Sequence, residues 1–266
     1  MNTARRRWLV LIVCAVLSAC TPSAAPLPTV SSFEMAQTAQ VQTQNAPPTG
    51  FNVVTFPLID AHLSDQPAWY AALTITFDGV FAADQQKTTG TLNAQIYRNE
   101  LTTGRRVLFK ANGSVFGITD ERALEGVRLG NDYYLVAQNV CSQVADTTTR
   151  QIADLAAGSL LGGVKSAKPT GQRDTIGGLA AWEYAFAPDA ITTPILHLAA
   201  KGSATVAAGD LWVAPSVNGV ARFTLTVNVQ NATLLQGDQV VSGQLREVYE
   251  LREVGTLYNI SIPFGC

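Results

Sequence analysis

From about residue 70 onward the dominant pattern is alternation of apolar and polar side chains. Leu73, Ile75 and Phe77 alternate with Thr74, Thr76 and Asp78, and Leu92, Ala94 and Ile96 alternate with Asn93 and Gln95. The clearest run sets Phe223, Leu225, Val227 and Val229 against Arg222, Thr224, Thr226 and Asn228. A period of two places one face of a strand on a core and the other in water, so these segments predict antiparallel sheet. Turn chemistry supports hairpins at Asn112-Gly113 and at Asn218-Gly219, the latter joining an Asp210–Ser216 strand to a Val220–Val229 strand. Asn-Gly suits the primed two-residue turns, whose central residues need positive φ. Strands over Gln239–Glu253 and Thr256–Pro263 continue the meander.

Two stretches change period. Asp146 to Leu161 carries Ile152, Leu155, Ala156 and Leu160 at helical spacing, and Asp189 to Ala200 carries Ile191, Ile195 and Leu198. Both are preceded by Asp or Thr residues able to cap a helix, and a short helix is also expected around Ile59–Ser64. The expected fold is therefore α+β: a large curved antiparallel sheet with a few helices over its apolar face. A sheet with one apolar face must cover it, and incomplete cover would leave a hydrophobic cavity. Phe77, Ile96, Phe223, Leu225 and Val227 are the candidates to line such a cavity.

The first residues read differently. Arg5, Arg6 and Arg7 precede an apolar run from Trp8 to Leu17, the layout of a secretory signal. The run is too short to span a bilayer as a helix, which takes roughly 20 residues. It ends in Leu17-Ser18-Ala19-Cys20, which resembles the lipobox of bacterial lipoproteins. The resemblance implies a signal peptide over residues 1–19, removed on export, and acylation of Cys20 as a membrane anchor. Thr21 in place of a retention-type Asp resembles default sorting to the outer membrane in a diderm cell. In a monoderm cell the same anchor would hold the chain on the outer face of the plasma membrane. Residues 20–50, rich in Pro, Ala, Thr, Ser and Gln, read as the lipidated cysteine and a flexible stalk, and 51–266 as one domain.

Loss of the signal would remove three arginines, leaving 15 basic and 20 acidic side chains and a formal charge of −5. No block of like charge remains, which argues against nucleic acid as a partner, since that needs clustered Lys and Arg. Of four cysteines, Cys14 would leave with the signal and Cys20 would be acylated. Cys141 and Cys266 then remain for a disulfide in a compartment where disulfides persist; two free buried thiols are the alternative.

Chemistry is sparse. His62, in Asp60-Ala-His62-Leu-Ser-Asp65, reads as a surface or capping residue, and His197, on the second expected helix, lacks acidic neighbours one turn away. No Gly-x-Ser-x-Gly or Ser-x-x-Lys nucleophile occurs. Gly158 to Ser166 departs from a phosphate loop because Val164 separates Gly163 from Lys165 and a helix precedes it; it reads as a helix end and turn. Asp120-Glu121-Arg122 and Glu247 to Glu253 contain paired acids of the kind glycosidases use, but spacing alone does not set two carboxylates across a sugar; Glu247, Glu250 and Glu253 are expected to face solvent on a strand, beside Arg246 and Arg252. Trp69, Trp182 and Trp212 lie in or beside strand-like runs and are expected mostly in the core. No catalytic residues, metal ligands or cofactor are expected.

Taken with the anchor, several segments resemble the lipoprotein-carrier superfold of LolA, LolB and the LppX/LprG lipoproteins. They are Tyr70–Phe77 as first strand, Asp132–Val136 before Cys141, and Gly209–Val213 with the strand after Asn218-Gly219. Tyr249-Glu250-Leu251 leading to Ile262-Pro263 and Cys266 completes the set. The resemblance covers about residues 55–266 and implies a half-barrel around helices that binds or shuttles a lipid or other amphiphile without catalysis. The other reading is a structural or interaction lipoprotein with a packed core. Unlike the carriers, this chain is rich in alanine and glycine over Ala153–Gly163, so its covering helix is poor in bulk.

Overall fold

The computed structural model describes residues 45–266; the expected signal, Cys20 and most of the stalk lie outside them. Twelve strands form one open antiparallel sheet. In chain order these are β1 (Val54–Phe56), β2 (Ala68–Phe81), β3 (Lys87–Asn99), β4 (Gly104–Gly113), β5 (Ile118–Leu129), β6 (Asp132–Ala137) and β7 (Val140–Gln143). After two helices come β8 (Val164–Ile176), β9 (Leu179–Phe186), β10 (Leu196–Ala214), β11 (Gly219–Leu234) and β12 (Val241–Val254). Their order in space is β1-β8-β9-β10-β11-β12-β2-β3-β4-β5-β6-β7. The sheet is curved and the expected α+β half-barrel is its architecture.

The alternation read from β2, β3 and β11 sets which face is inside. Register places Leu73 opposite Tyr249, Tyr249 opposite Phe223, Phe223 opposite Leu211 and Leu211 opposite Tyr184. Each of these side chains is at most 3% exposed. At about 25 cal/mol per Å² of apolar surface removed from water, such rows dominate the stability of the sheet.

Helix α1 (Thr147–Ala153) and helix α2 (Ala157–Leu161) occupy the expected Asp146–Leu161 stretch as two short pieces. Asp146 caps α1 by accepting the Thr149 backbone N–H at 2.8 Å. This satisfies a donor that the first helical turn leaves free. Gly126 of β5 lets α1 lie directly on the sheet, since a Cβ there would come 2.7 Å from the Ala153 nitrogen.

Several expectations need correction. The stretch Asp189–Ala200 is not a helix: a single 3-10 turn spans Pro188–Ala190, and β10 begins at Leu196. Pro194 disfavours helical backbone at Thr193, and β11 offers pairing, with His197 opposite Thr233. His197 is therefore an exposed strand residue. Thr256–Pro263 is not a strand either. The chain turns at Gly255 (φ 86°) and crosses the outer face, where Ile260 packs with Val127 and Tyr134. The Cys141–Cys266 disulfide and a hydrogen bond from Asn99 Nδ2 to the Tyr258 carbonyl (2.9 Å) hold this tail in place.

Neither Asn-Gly pair forms a two-residue turn. Gly113 belongs to β4, and Ser114–Phe116 makes the turn. Pro215–Val217 with Asn218 (φ 47°) makes the other, and Gly219 opens β11. Two-residue turns with both central residues at positive φ occur instead at Gln138-Asn139 and Gly177-Gly178. The expected helix at Ile59–Ser64 reduces to turns and one 3-10 turn at Leu63–Asp65.

Candidate functional site: the covered inner face

Phe77, Ile96, Phe223, Leu225 and Val227 all lie on the inner face, each at most 3% exposed, in one core cluster. Two sequence-distant pieces, the segment Phe56–Asp65 and α2, form a plug within this cluster, while at the Phe77 end Val115 and Phe116 of the β4–β5 turn lie against Gly90, the register partner of Phe77. Phe56, Ile59, Leu63 and Leu161 from the plug share that core cluster. The bulk that the Ala- and Gly-rich helix lacks is thus supplied by the preceding loop.

Glycine makes the two pieces fit. A Cβ on Gly158 would lie 2.5 Å from Leu58 Cβ and 2.6 Å from Asp60 Oδ1. In its absence the Gly158 N–H donates to Asp60 Oδ1 at 3.1 Å. The Ile59 N–H donates to the Gly162 carbonyl at 2.8 Å. Burial raises the Asp60 carboxyl above its usual range, against the opposing pull of the Gly158 N–H.

One end of the inner face is charged. Register sets Trp69, Arg98, Arg105, Arg128 and Tyr133 side by side on five consecutive strands. Asp154, just past α1, receives Arg105 Nη1 at 2.8 Å and Arg128 Nη1 at 3.0 Å on one oxygen, and the Tyr133 hydroxyl at 3.1 Å on the other. Partial burial acts to raise its carboxyl, but the hydrogen bonds from Arg128, Arg105 and Tyr133 win and hold it below the usual range. Arg98 pairs with Glu100 and lies over the Trp69 ring at 5.9 Å. Burial lowers the Arg98 guanidinium, and Arg105 beside it adds to the effect.

The centre of the face holds a group that sequence reasoning placed outside. Glu247 is fully buried, between Ile75 of β2 and Leu225 of β11. Neither carboxyl oxygen has a hydrogen-bond partner, and the same is true of the Tyr249 hydroxyl and Trp69 Nε1. Burial pushes the Glu247 carboxyl up to about 8. It also pushes the Tyr249 hydroxyl well up, with Asp60 adding to that shift. The parity of Leu245, Tyr249 and Leu251 was the available signal, because residue 247 shares their phase.

The other acids do face water: Glu121 pairs with Lys110 at 2.9 Å, and Glu250 with Arg252 at 3.1 Å. His62 sits at the 3-10 turn with φ 69°, its ring 6.1 Å from that of Phe56. Trp69 and Trp182 are buried and Trp212 half-buried. Trp182 donates from Nε1 to the Asn45 carbonyl at 2.9 Å. Two open grooves lie away from the inner-face candidates. One, of about 720 Å³, is floored by Leu108 and Val136 and edged by Asn93, Gln95 and Gln138 on the outer face. The other, of about 680 Å³, lies between Lys165, Lys168 and Asp189.

No family model matches this chain, and no curated protein does. Among solved structures it is similar to LprF from Mycobacterium bovis, at 11% identity and a TM-score of 0.36 over 85% of this chain and 97% of that one. A LolA superfamily protein from Nitrosomonas europaea is similar at 9% identity and TM-score 0.24, over 77% and 95% of the two chains. A DUF1329 family protein from Desulfovibrio piger ATCC 29098 follows at 7% identity and TM-score 0.23, over 78% and 96%. The architecture given above rests on this chain's own strand pairing.

Proposed function

We propose that this chain is a non-catalytic lipoprotein of the cell envelope that binds or shuttles a lipid or other amphiphile on the inner face of its half-barrel. Cys20 carries the acyl anchor, and residues 20–50 are the stalk that sets the domain at a distance from the membrane. The observation that carries this reading is the plug. Part of an apolar face spanning many strands is covered by a loop and a five-residue helix joined to each other through glycine contacts. Such a cover can separate from the sheet as a unit, exposing Phe77, Ile96, Phe223, Leu225 and Val227 to an acyl chain. Ligand sites of this kind run to roughly 300–1,000 Å³, so the plug must move for one to open.

The close packing of those five side chains favours a second reading, an interaction lipoprotein with a permanently filled core. Native mass spectrometry of the chain purified from a bacterial envelope, followed by solvent extraction, separates the two. Lipid near one mole per mole supports the carrier. A ligand-free mass in protein that also refuses fluorescent lipid probes leaves the interaction module.

A further inference from the structure

We propose that Glu247 and Tyr249 form a hydrogen-bonding subsite on the inner face that receives the ester carbonyls of an acylated glycerol lipid. This deepens the carrier reading and rests on it. The argument starts from an anomaly. A buried polar group without a partner is rare in native proteins and calls for an explanation. Here two such groups are neighbours at the centre of the inner face, the Glu247 carboxyl and the Tyr249 hydroxyl; a third, Trp69 Nε1, lies apart at the charged end. Glu247 and Tyr249 are two residues apart on β12, so their side chains leave the same face roughly 7 Å from each other.

The chemistry of the pair selects the ligand. No charged side chain shifts Glu247, whose titration is governed by burial alone, so near neutral pH it keeps its proton. Glu247 and Tyr249 are then both hydrogen-bond donors, and both are unused. A ligand that satisfies them must bring acceptors into an apolar surround while adding no charge. Ester carbonyls at the junction of glycerol and acyl chains do this, with the chains on Leu225, Phe223 and Val227 to either side. An ether-linked lipid has the same apolar bulk and lacks the carbonyl acceptors. Packing alone gives no reason for a carboxyl here, since a leucine would fill the place between Ile75 and Leu225 without an unmade hydrogen bond.

The test uses the full chain with its own anchor, purified in detergent and stripped of bound lipid, with loading read by native mass spectrometry. The probes are dipalmitoyl phosphatidylglycerol and its dihexadecyl ether analogue at equal concentration. Wild type is expected to favour the diester by roughly three- to tenfold, the range of one net hydrogen bond. Glu247→Gln, which keeps a donor, should retain the preference. Glu247→Leu should load both lipids equally, and Tyr249→Phe should fall between. Because Glu247→Leu removes an unmade hydrogen bond, its unfolding midpoint should be at or above that of wild type, so lost selectivity is not lost folding. Equal loading of both lipids by wild type, or an undiminished preference in Glu247→Leu, overturns the subsite while leaving lipid binding intact. If neither lipid loads on any variant, the carrier reading falls and the subsite falls with it.

Discussion

Glu247 couples the stability of this domain to pH in a way that a single substitution isolates. Its ordinary value lies near 4.5 and burial carries it to about 8 in the folded chain. Between those values the unfolded chain has lost the proton and the folded chain still holds it. The folded state therefore binds more protons, and stability falls as pH rises. The contribution is full below the unfolded value and is lost progressively as pH climbs through the folded one. Each unit is worth about 1.4 kcal/mol, so the shift amounts to a pH-dependent change of about 5 kcal/mol at its limit, about half of it between pH 5 and 7. Glu247→Gln has no such proton. Urea unfolding of both proteins at pH 5, 6, 7 and 8, with the disulfide kept oxidised, gives the difference at each pH. Other carboxyls, Asp60 among them, are present in both and largely cancel. The wild type should lose ground steadily relative to the glutamine variant as pH rises. A difference that stays flat from pH 5 to 8 would refute the placement of Glu247 in the core.

Three further outcomes follow from the packing. Asp154→Ala strips Arg105, Arg128 and Tyr133 of their shared acceptor and should cost about 1–3 kcal/mol in denaturant unfolding. Gly158→Ala sets a methyl against Leu58 and Asp60 and should destabilise by about 1–3 kcal/mol; on the carrier reading it also speeds uptake of a fluorescent fatty acid, and unchanged stability would contradict the fit of the plug. Reducing Cys141–Cys266, which closes a separation of 125 residues, should lower stability by up to about 4–5 kcal/mol. It should also raise hydrogen exchange in the 255–266 tail.

What was legible in the sequence depended on whether a signal was local. The alternation of Leu73–Phe77 and of Phe223–Val229 fixed both the strands and the inward face, because period two needs no knowledge of neighbours. The helix expected at Asp189–Ala200 failed because its apolar spacing was outweighed by Pro194 and by the ladder that β11 offers. The Asn-Gly pairs misled in a similar way: the turns took four residues, and Gln138-Asn139 took left-handed backbone without any glycine. Glu247 was misplaced because charge was weighed above phase. The row Arg98, Arg105 and Arg128 was illegible, since it exists only through the register of three strands. The plug was equally hidden, being built from residues about a hundred positions apart.

The strand order carries a consequence for how the chain is made. β12, which follows the other eleven described strands along the chain, lies between β11 and β2 at the middle of the sheet, with Leu245 beside Phe77. Until it emerges, β2–β7 and the set of β1 with β8–β11 are two fragments, each with an unpaired apolar edge. Pairings of such long sequence separation form slowly and leave those edges open meanwhile. A chain halted before β12 would thus lack its keystone, with the edges of β2 and β11 left open to one another and to other chains.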